Sequence, residues 1–183
     1  MIALWIILGI VAVLIIAFIA IYNNLVRLRN QMKNAWAQID VQLKRRYDLI
    51  PNLVETVKGY AAHEKGIFEN IAEARTKYFQ AKSTKEQIEA AEGLERALSR
   101  LLMLREAYPE LKANENFLKL QDSLEGTENR ISVERKRYND SVRTLNTYIR
   151  TVFGGFFAGL ASVTQAGYYQ VPEAEKEVPK VKF

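Results

Sequence analysis

The sequence predicts an all-α protein, an N-terminal transmembrane helix continuing into an up-and-down antiparallel four-helix bundle with long helices. Three observations predict it. No side chain from Met1 to Tyr22 is charged. Beyond that run, apolar residues recur at alternating spacings of three and four, the mark of amphipathic helices that share a core. Pro51 and Pro109 are the only prolines between Tyr22 and Val152, a scarcity that favours long helices over a turn-rich β architecture.

The run MIALWIILGIVAVLIIAFIAIY is the first element, assigned to residues 1–22. As a helix it spans roughly 33 Å, enough for a hydrocarbon core of about 30 Å. Trp5 and Tyr22 mark its two ends, where an interfacial aromatic belt would hold them. A cleaved signal peptide is the competing reading. Against it stand the missing basic n-region, the length of the run, and Phe18 two positions before Ala20, where a cleavage site would need a small residue. Arg27, Arg29 and Lys33 follow the run and no Lys or Arg precedes it. The positive-inside rule then puts the helical body of this single-pass protein in the cytoplasm. Arg27 and Arg29 join Trp5 and Tyr22 as expected membrane-interface residues.

Residues 23–152 are assigned to the bundle. Its first helix carries Leu25, Leu28, Met32, Ala35, Ile39 and Leu43, continues the anchor without a breaker, and is expected to end near Arg46. The second is expected to start at Asp48, a plausible N-cap, with Pro51 in its first turn. Its stripe is Ile50, Leu53, Val57, Tyr60, Ile67, Ile71 and Tyr78, with an irregularity expected near His63 between Gly59 and Gly66. The third starts at the Ser83-Thr84 cap, carries Ile88, Ala91, Leu94, Leu98, Leu101 and Arg105, and stops at Pro109. The fourth runs from about Asn114 to Val152 through Phe117, Leu120, Leu124, Ile131, Tyr138, Leu145 and Ile149.

Parity makes a further prediction. Helices joined by short connections alternate in direction. A bundle whose first helix leaves a membrane therefore ends its fourth helix back at it. Residues 153–170 begin there with Phe153, Gly154, Gly155, Phe156 and Phe157, an apolar aromatic segment. Phe153, Phe156 and Phe157 are assigned to the membrane interface, entering the headgroup boundary. The alternative folds these rings back onto the end of the bundle. Residues 171–183, with Pro172, Pro179 and mixed Glu and Lys, read as a flexible tail.

The stretch from Tyr22 to Asn30 and the run AWAQIDVQLKRRYDLIPNLVETVKGYAAHE, from Ala35 to Glu64, closely resemble the LemA family of bacterial membrane proteins. The run FLKLQDSLEGTENRISVERKRYNDSVRTLN, from Phe117 to Asn146, resembles the family's second signature. The resemblance covers nearly the whole chain from Tyr22 on. It implies an N-terminal anchor and a helical bundle, and no settled reaction, substrate or cofactor. Some relatives carry a lipoprotein signal ending in cysteine; this chain has no cysteine and departs from that form.

Composition excludes several chemistries. Without cysteine there is no disulfide framework, thiolate metal site or thiol nucleophile. A di-metal carboxylate centre needs Glu-x-x-His pairs, and the single histidine, His63, has Tyr60 three residues before it. No G-x-S-x-G elbow supports a serine hydrolase. Ala62-His63-Glu64-Lys65-Gly66 faintly resembles the A-H-x-x-K-G phosphotransfer motif, but on a helix Lys65 would point about 200° away from His63. No cofactor, metal or small-molecule substrate is expected, and the chain reads as a non-enzyme.

The net charge of +5 allows nucleic acid, anionic lipid or an acidic protein as partner. Lys44-Arg45-Arg46 lacks interleaved base-stacking aromatics apart from Tyr47, so nucleic acid is not expected and the run reads as a solvated helix end. Arg105, Thr127 and Glu134 fall where the period calls for apolar residues. They form either a paired register layer or a ligand site, and the register layer is the simpler account. Asp40 with Lys44, and Glu134 with Tyr138, read as local i, i+4 neighbours. The expected function is a membrane-anchored scaffold or adaptor presenting helix faces to protein partners or to its own copies. A lipid-sensing or lipid-deforming surface protein, and phosphotransfer through His63, are the alternatives.

Overall fold

A computed structural model describes residues 1–170, and every regular element in them is a helix. In chain order these are α1 (Ile2–Lys58), α2 (Lys65–Gln80), α3 (Thr84–Ala107), α4 (Pro109–Lys112), α5 (Glu115–Ile149) and α6 (Val152–Leu160). There is no strand among the described residues. The tail expected over 171–183 lies outside them. α1 holds the one stretch among the described residues long and apolar enough to cross a membrane, and that stretch is wholly exposed.

The break expected between Arg46 and Asp48 does not exist. α1 runs on through Pro51 to Lys58, and Asp48 lies inside it, exposed. Pro51 removes a backbone hydrogen bond at a cost of about 3 kcal/mol. Against this, Ile39, Leu43, Ile50, Leu53 and Val57 all lie buried on one line that crosses the proline without changing period. Burying each such side chain contributes about 1.5–3 kcal/mol, so the uninterrupted stripe decides. The chain turns instead at Gly59–Glu64, where the N–H groups of Tyr60 and Ala61 both reach the Val57 carbonyl.

The later boundaries follow local chemistry. Ser83 caps α3, its Oγ accepting from Glu86 N, while the Glu86 carboxylate accepts from Lys82 N. Pro109 cannot continue α3 and opens α4. Asn114 caps α5 through Phe117 N.

The described chain divides into two units. One comprises Met1–Ala37 and Lys136–Tyr168, the other Gln38–Arg135 with Tyr169. In the first, Leu25, Leu28, Leu145, Phe157 and Ala158 form the core, with Ile21, Met32 and Tyr148 against it. In the second, α2 packs on α3, and the buried side chains include Ile71 and Tyr78 of α2 and Leu94, Leu98 and Leu101 of α3.

Two corners shape the first unit. α5 turns into α6 at Thr151, whose hydroxyl donates to the Tyr148 carbonyl and accepts from Gly154 N. A Cβ on Gly154 would collide with that carbonyl and with Thr151 Oγ1, so only glycine fits. α6 then ends in a Schellman turn: Val163 N reaches Ala158 O, and Ser162 N reaches Gly159 O. Ser162 occupies the left-handed position at φ 51° that glycine ordinarily fills. The chain returns along α5, where the Asn146 amide pairs with both backbone groups of Ala166 and the Tyr138 hydroxyl donates to Gly167 O.

These corners predict opposite effects. Gly154→Ala should destabilise the full-length protein in detergent by about 1–3 kcal/mol through overpacking. Ser162→Gly should stabilise it by about 1 kcal/mol by relieving left-handed strain. Thermal melts followed by circular dichroism read both; Gly159→Ala, with open space around its Cβ, is the control.

Candidate membrane-facing site and buried charge network

In the first unit, the last turns of the apolar stretch meet α6. Phe157 is 5 % exposed and lies edge-on to Phe18, with ring centroids 4.7 Å apart. The Tyr148 hydroxyl donates to the Ile21 carbonyl at 3.1 Å, tying the end of α5 to the same level of α1. Phe153 and Phe156, each 68 % exposed, lie on the open face of α6 with Val152 and Leu160. α6 is thus amphipathic in an unusual sense: both faces are apolar, one covered by protein and one bare.

The other expected interface residues belong to this unit as well. Trp5 is exposed near the start of α1, and Tyr22 is exposed one residue beyond Ile21. Arg27 donates to Asn24 Oδ1 at 2.6 Å, and Arg29 is exposed. Beside them lies a shallow cavity, open to solvent, of about 530 Å³ between α1 and the last turns of α5. Leu28 and Tyr148 line it together with Asn24, Arg143, Thr147 and Thr151.

The second unit holds a charge network at its centre. Arg46 is only 6 % exposed. Its guanidinium donates to Glu95 at 2.7 Å, to Glu128, and to the Leu124 carbonyl, joining α1, α3 and α5. Arg135, also buried, pairs with the other Glu128 oxygen at 3.6 Å and lies over the Tyr169 ring. The expected solvated end at Lys44-Arg45-Arg46 is therefore corrected at its last residue. Lys44 and Arg45 are exposed, with Lys44 paired to Asp40, whereas Arg46 is buried in mid-helix.

Tyrosines surround this network. Tyr47 packs edge-on against Tyr78, and the Tyr78 hydroxyl donates to Asp40 at 2.7 Å. Burial pushes the Tyr47 phenol far above its ordinary pKa, and the Glu95 carboxylate pushes it further. Burial does the same to Tyr78, followed by its bond to Asp40. Both phenols stay neutral wherever the protein is folded, so Tyr47 acts as shape and Tyr78 as a hydrogen-bond donor to Asp40 as well.

The polar stripe residues fall elsewhere. Arg105 is partly exposed and bonds Gln121 and Glu106. The Thr127 hydroxyl donates back to Leu124 O, and Glu134 is half-buried. Arg105 lines an open groove of about 340 Å³ between α3 and α5 together with Leu102, Met103 and Leu124. His63 sits exposed in the turn between α1 and α2. The irregularity expected there is present, so the face-sharing argument about Lys65 lapses: Lys65 is the first residue of α2.

Residues 35–183 match the model of the LemA family. The chain belongs to the LemA family. Among curated proteins it is similar to "Magnetosome protein MamQ 2" of Paramagnetospirillum magneticum, 26 % identical over 186 residues, covering 85 % of this chain and 68 % of that protein. It is also similar to "Protein LemA" of Metamycoplasma hominis, 24 % identical, covering 84 % of this chain and 71 % of that protein. This LemA-family chain carries Arg46 inside the first stretch that resembles the family and Arg135 inside the second, so both halves of its charge network lie in those stretches.

Arg46→Met should cost about 2–4 kcal/mol, because it leaves two carboxylates around one desolvated site; Glu128, a third exposed, keeps the value below that of a fully buried triad. Adding Glu95→Gln and Glu128→Gln should recover much of the loss, as denaturant titration of the single and triple variants would read.

Proposed function

We propose that this LemA-family protein is a membrane-anchored helical scaffold whose body is held against the bilayer at two places. α1 supplies a spanning anchor, and α6 supplies a surface contact. The observation that carries the reading is the seam in the first unit. Phe157 and Tyr148 hold α6 at the last turn of the apolar stretch, and its other face leaves Phe153 and Phe156 bare. Such a face exposed to water is a sticky patch; at the headgroup boundary each phenylalanine would contribute about 1–2 kcal/mol. Because the protein is already tethered, a weak second contact is enough to restrain it.

The helical body is proposed to be an up-and-down four-helix bundle. Ties within the second unit support this: Asn114 Nδ2 donates to Tyr60 near the start of α5, the Tyr108 hydroxyl reaches Glu64 at the end of α3, and Tyr78 at the end of α2 reaches back to Asp40. Arg27, Arg29 and Lys33 support a cytoplasmic body on a bacterial inner membrane. The groove holding Met103 and Leu102 is the candidate face for a protein partner or a second copy. No catalytic role is proposed.

The seam is tested with full-length protein in liposomes. Phe153→Ser with Phe156→Ser should leave the melting temperature in detergent nearly unchanged, yet open the segment around α6 to protease on vesicles. Phe157→Ser should instead cost about 3 kcal/mol or more, as a core phenylalanine does. If the double variant loses as much stability as Phe157→Ser, its rings are packed on protein and the surface contact is wrong.

A further inference from the structure

We infer that the cavity between α1 and the end of α5 is a site for the headgroup of an anionic phospholipid. The inference rests on the membrane-surface placement proposed above and adds to it a ligand of defined charge.

Position comes first. Asn24 and Leu28 lie about 3–9 Å beyond Tyr22 along the helix axis. That is the depth of a headgroup layer, roughly 5–8 Å on each side of the hydrocarbon. Tyr148, one of the lining residues, is bonded to Ile21, which fixes the cavity at the end of the apolar run independently of helix length.

Charge comes second. In this unit Arg27, Arg29 and Lys33 of α1, with Lys136, Arg137, Arg143 and Arg150 of α5 and its end, face the single acid Asp140. The remainder of the chain carries no such excess, for the whole chain has 26 Lys and Arg against 21 Asp and Glu. The positive charge of the protein is thus gathered in the unit that holds the apolar stretch. A choline or ethanolamine cation would find only Asp140, and Arg143 already holds it at 2.8 Å.

Chemistry comes third. Arg143 reaches Asp140 through one terminal nitrogen, an exposed i, i+3 pair of little strength. Its other nitrogens remain as donors in the fork geometry that suits a phosphodiester. Asn24 Oδ1 accepts from Arg27, which aims the amide N–H groups elsewhere and brings a second cation to the rim. The Thr147 hydroxyl has no partner among the described residues and completes the donor set. Leu28 and the Tyr148 ring offer apolar surface to the glycerol backbone. At about 530 Å³ the cavity falls within the range of small-ligand sites.

The test uses the full-length protein in neutral micelles, titrated with dioctanoyl-phosphatidylglycerol, dioctanoyl-phosphatidylcholine and glycerol 3-phosphate, with bound species counted by native mass spectrometry. One phosphatidylglycerol should be retained per chain, at least ten-fold more tightly than phosphatidylcholine. Arg143→Gln with Thr147→Val should weaken it ten-fold or more while the melting temperature holds. Arg150→Gln, which removes a nearby cation outside the cavity, should weaken it less than three-fold. Equal retention of the two lipids overturns the site, as does an equal loss in Arg150→Gln, which would mean diffuse attraction. Glycerol 3-phosphate competing at the concentration of the lipid would make the ligand a free phosphate ester and overturn the lipid assignment. Failure here leaves the α6 contact standing, because protection of α6 on purely phosphatidylcholine vesicles reads that contact without any anionic headgroup.

Discussion

The contact between the end of the apolar stretch and α6 constrains everything else in the first unit. Phe157 needs Phe18 and Leu25 beneath it, which places α6 across the last turns of the anchor. That placement requires a tight corner after α5, and the corner requires Gly154, because the Tyr148 carbonyl occupies the space of a side chain. The same Tyr148 spends its hydroxyl on Ile21. One residue thus sets both the corner and the level at which α6 meets α1. The Schellman turn at Ser162 and the Asn146 clamp then carry the chain back along α5. Gly154, Phe157 and Ala158 form the covered side of α6, and Phe153 and Phe156 stay exposed beside it as the bare apolar face.

The second unit is organised by a different interaction. Arg46 ties three helices through carboxylates and a carbonyl oxygen. A buried network of this kind is weak support for stability, since apolar residues of equal volume often do as well. What it does supply is register. A guanidinium with partners on α3 and α5 cannot move one turn along either helix without stranding charge, so it specifies how those helices align. The groove at Met103 and Leu102 lies between α3 and α5, and the proposed scaffold role would depend on that alignment.

Much of this was legible in the sequence. The apolar period placed Leu25, Leu28, Ile39, Leu43, Leu94, Leu98, Leu124 and Ile131 in the core, and all are buried. The Ser83 cap and the stop before Pro109 stand where local chemistry puts them. The error at Asp48 came from giving a proline and a capping residue more weight than a stripe that runs unbroken past both. Arg46 was misread for a related reason. It continues the line from Ile39 and Leu43 to Ile50 at spacings of three and four, so its place on the buried face was written in the sequence, but its charge suggested solvent. Arg135 keeps the same spacing between Ile131 and Tyr138 and is buried, whereas Glu134, one residue away, is only half-buried. The partners Glu95 and Glu128 are remote in sequence, and no local signal announces them. The Asn146 clamp on Ala166 was equally invisible, because an asparagine that pairs with backbone leaves no periodic trace. The split roles of Phe153, Phe156 and Phe157 needed the corner at Gly154, whose geometry composition does not reveal.

The central claim is that the outer face of α6 lies in the bilayer surface at the level of the anchor's end. Nitroxide accessibility measures this most directly, and a chain without native cysteine admits single labels at chosen sites. Labels at positions 153 and 156 of the protein in bilayers should relax with oxygen and resist a water-soluble nickel complex, at a depth matching a label at position 22. A label at the exposed Lys136 position should show the reverse. If positions 153 and 156 meet the nickel complex as freely as position 136, α6 stands in water and the account of this protein as a scaffold held twice at the membrane is contradicted.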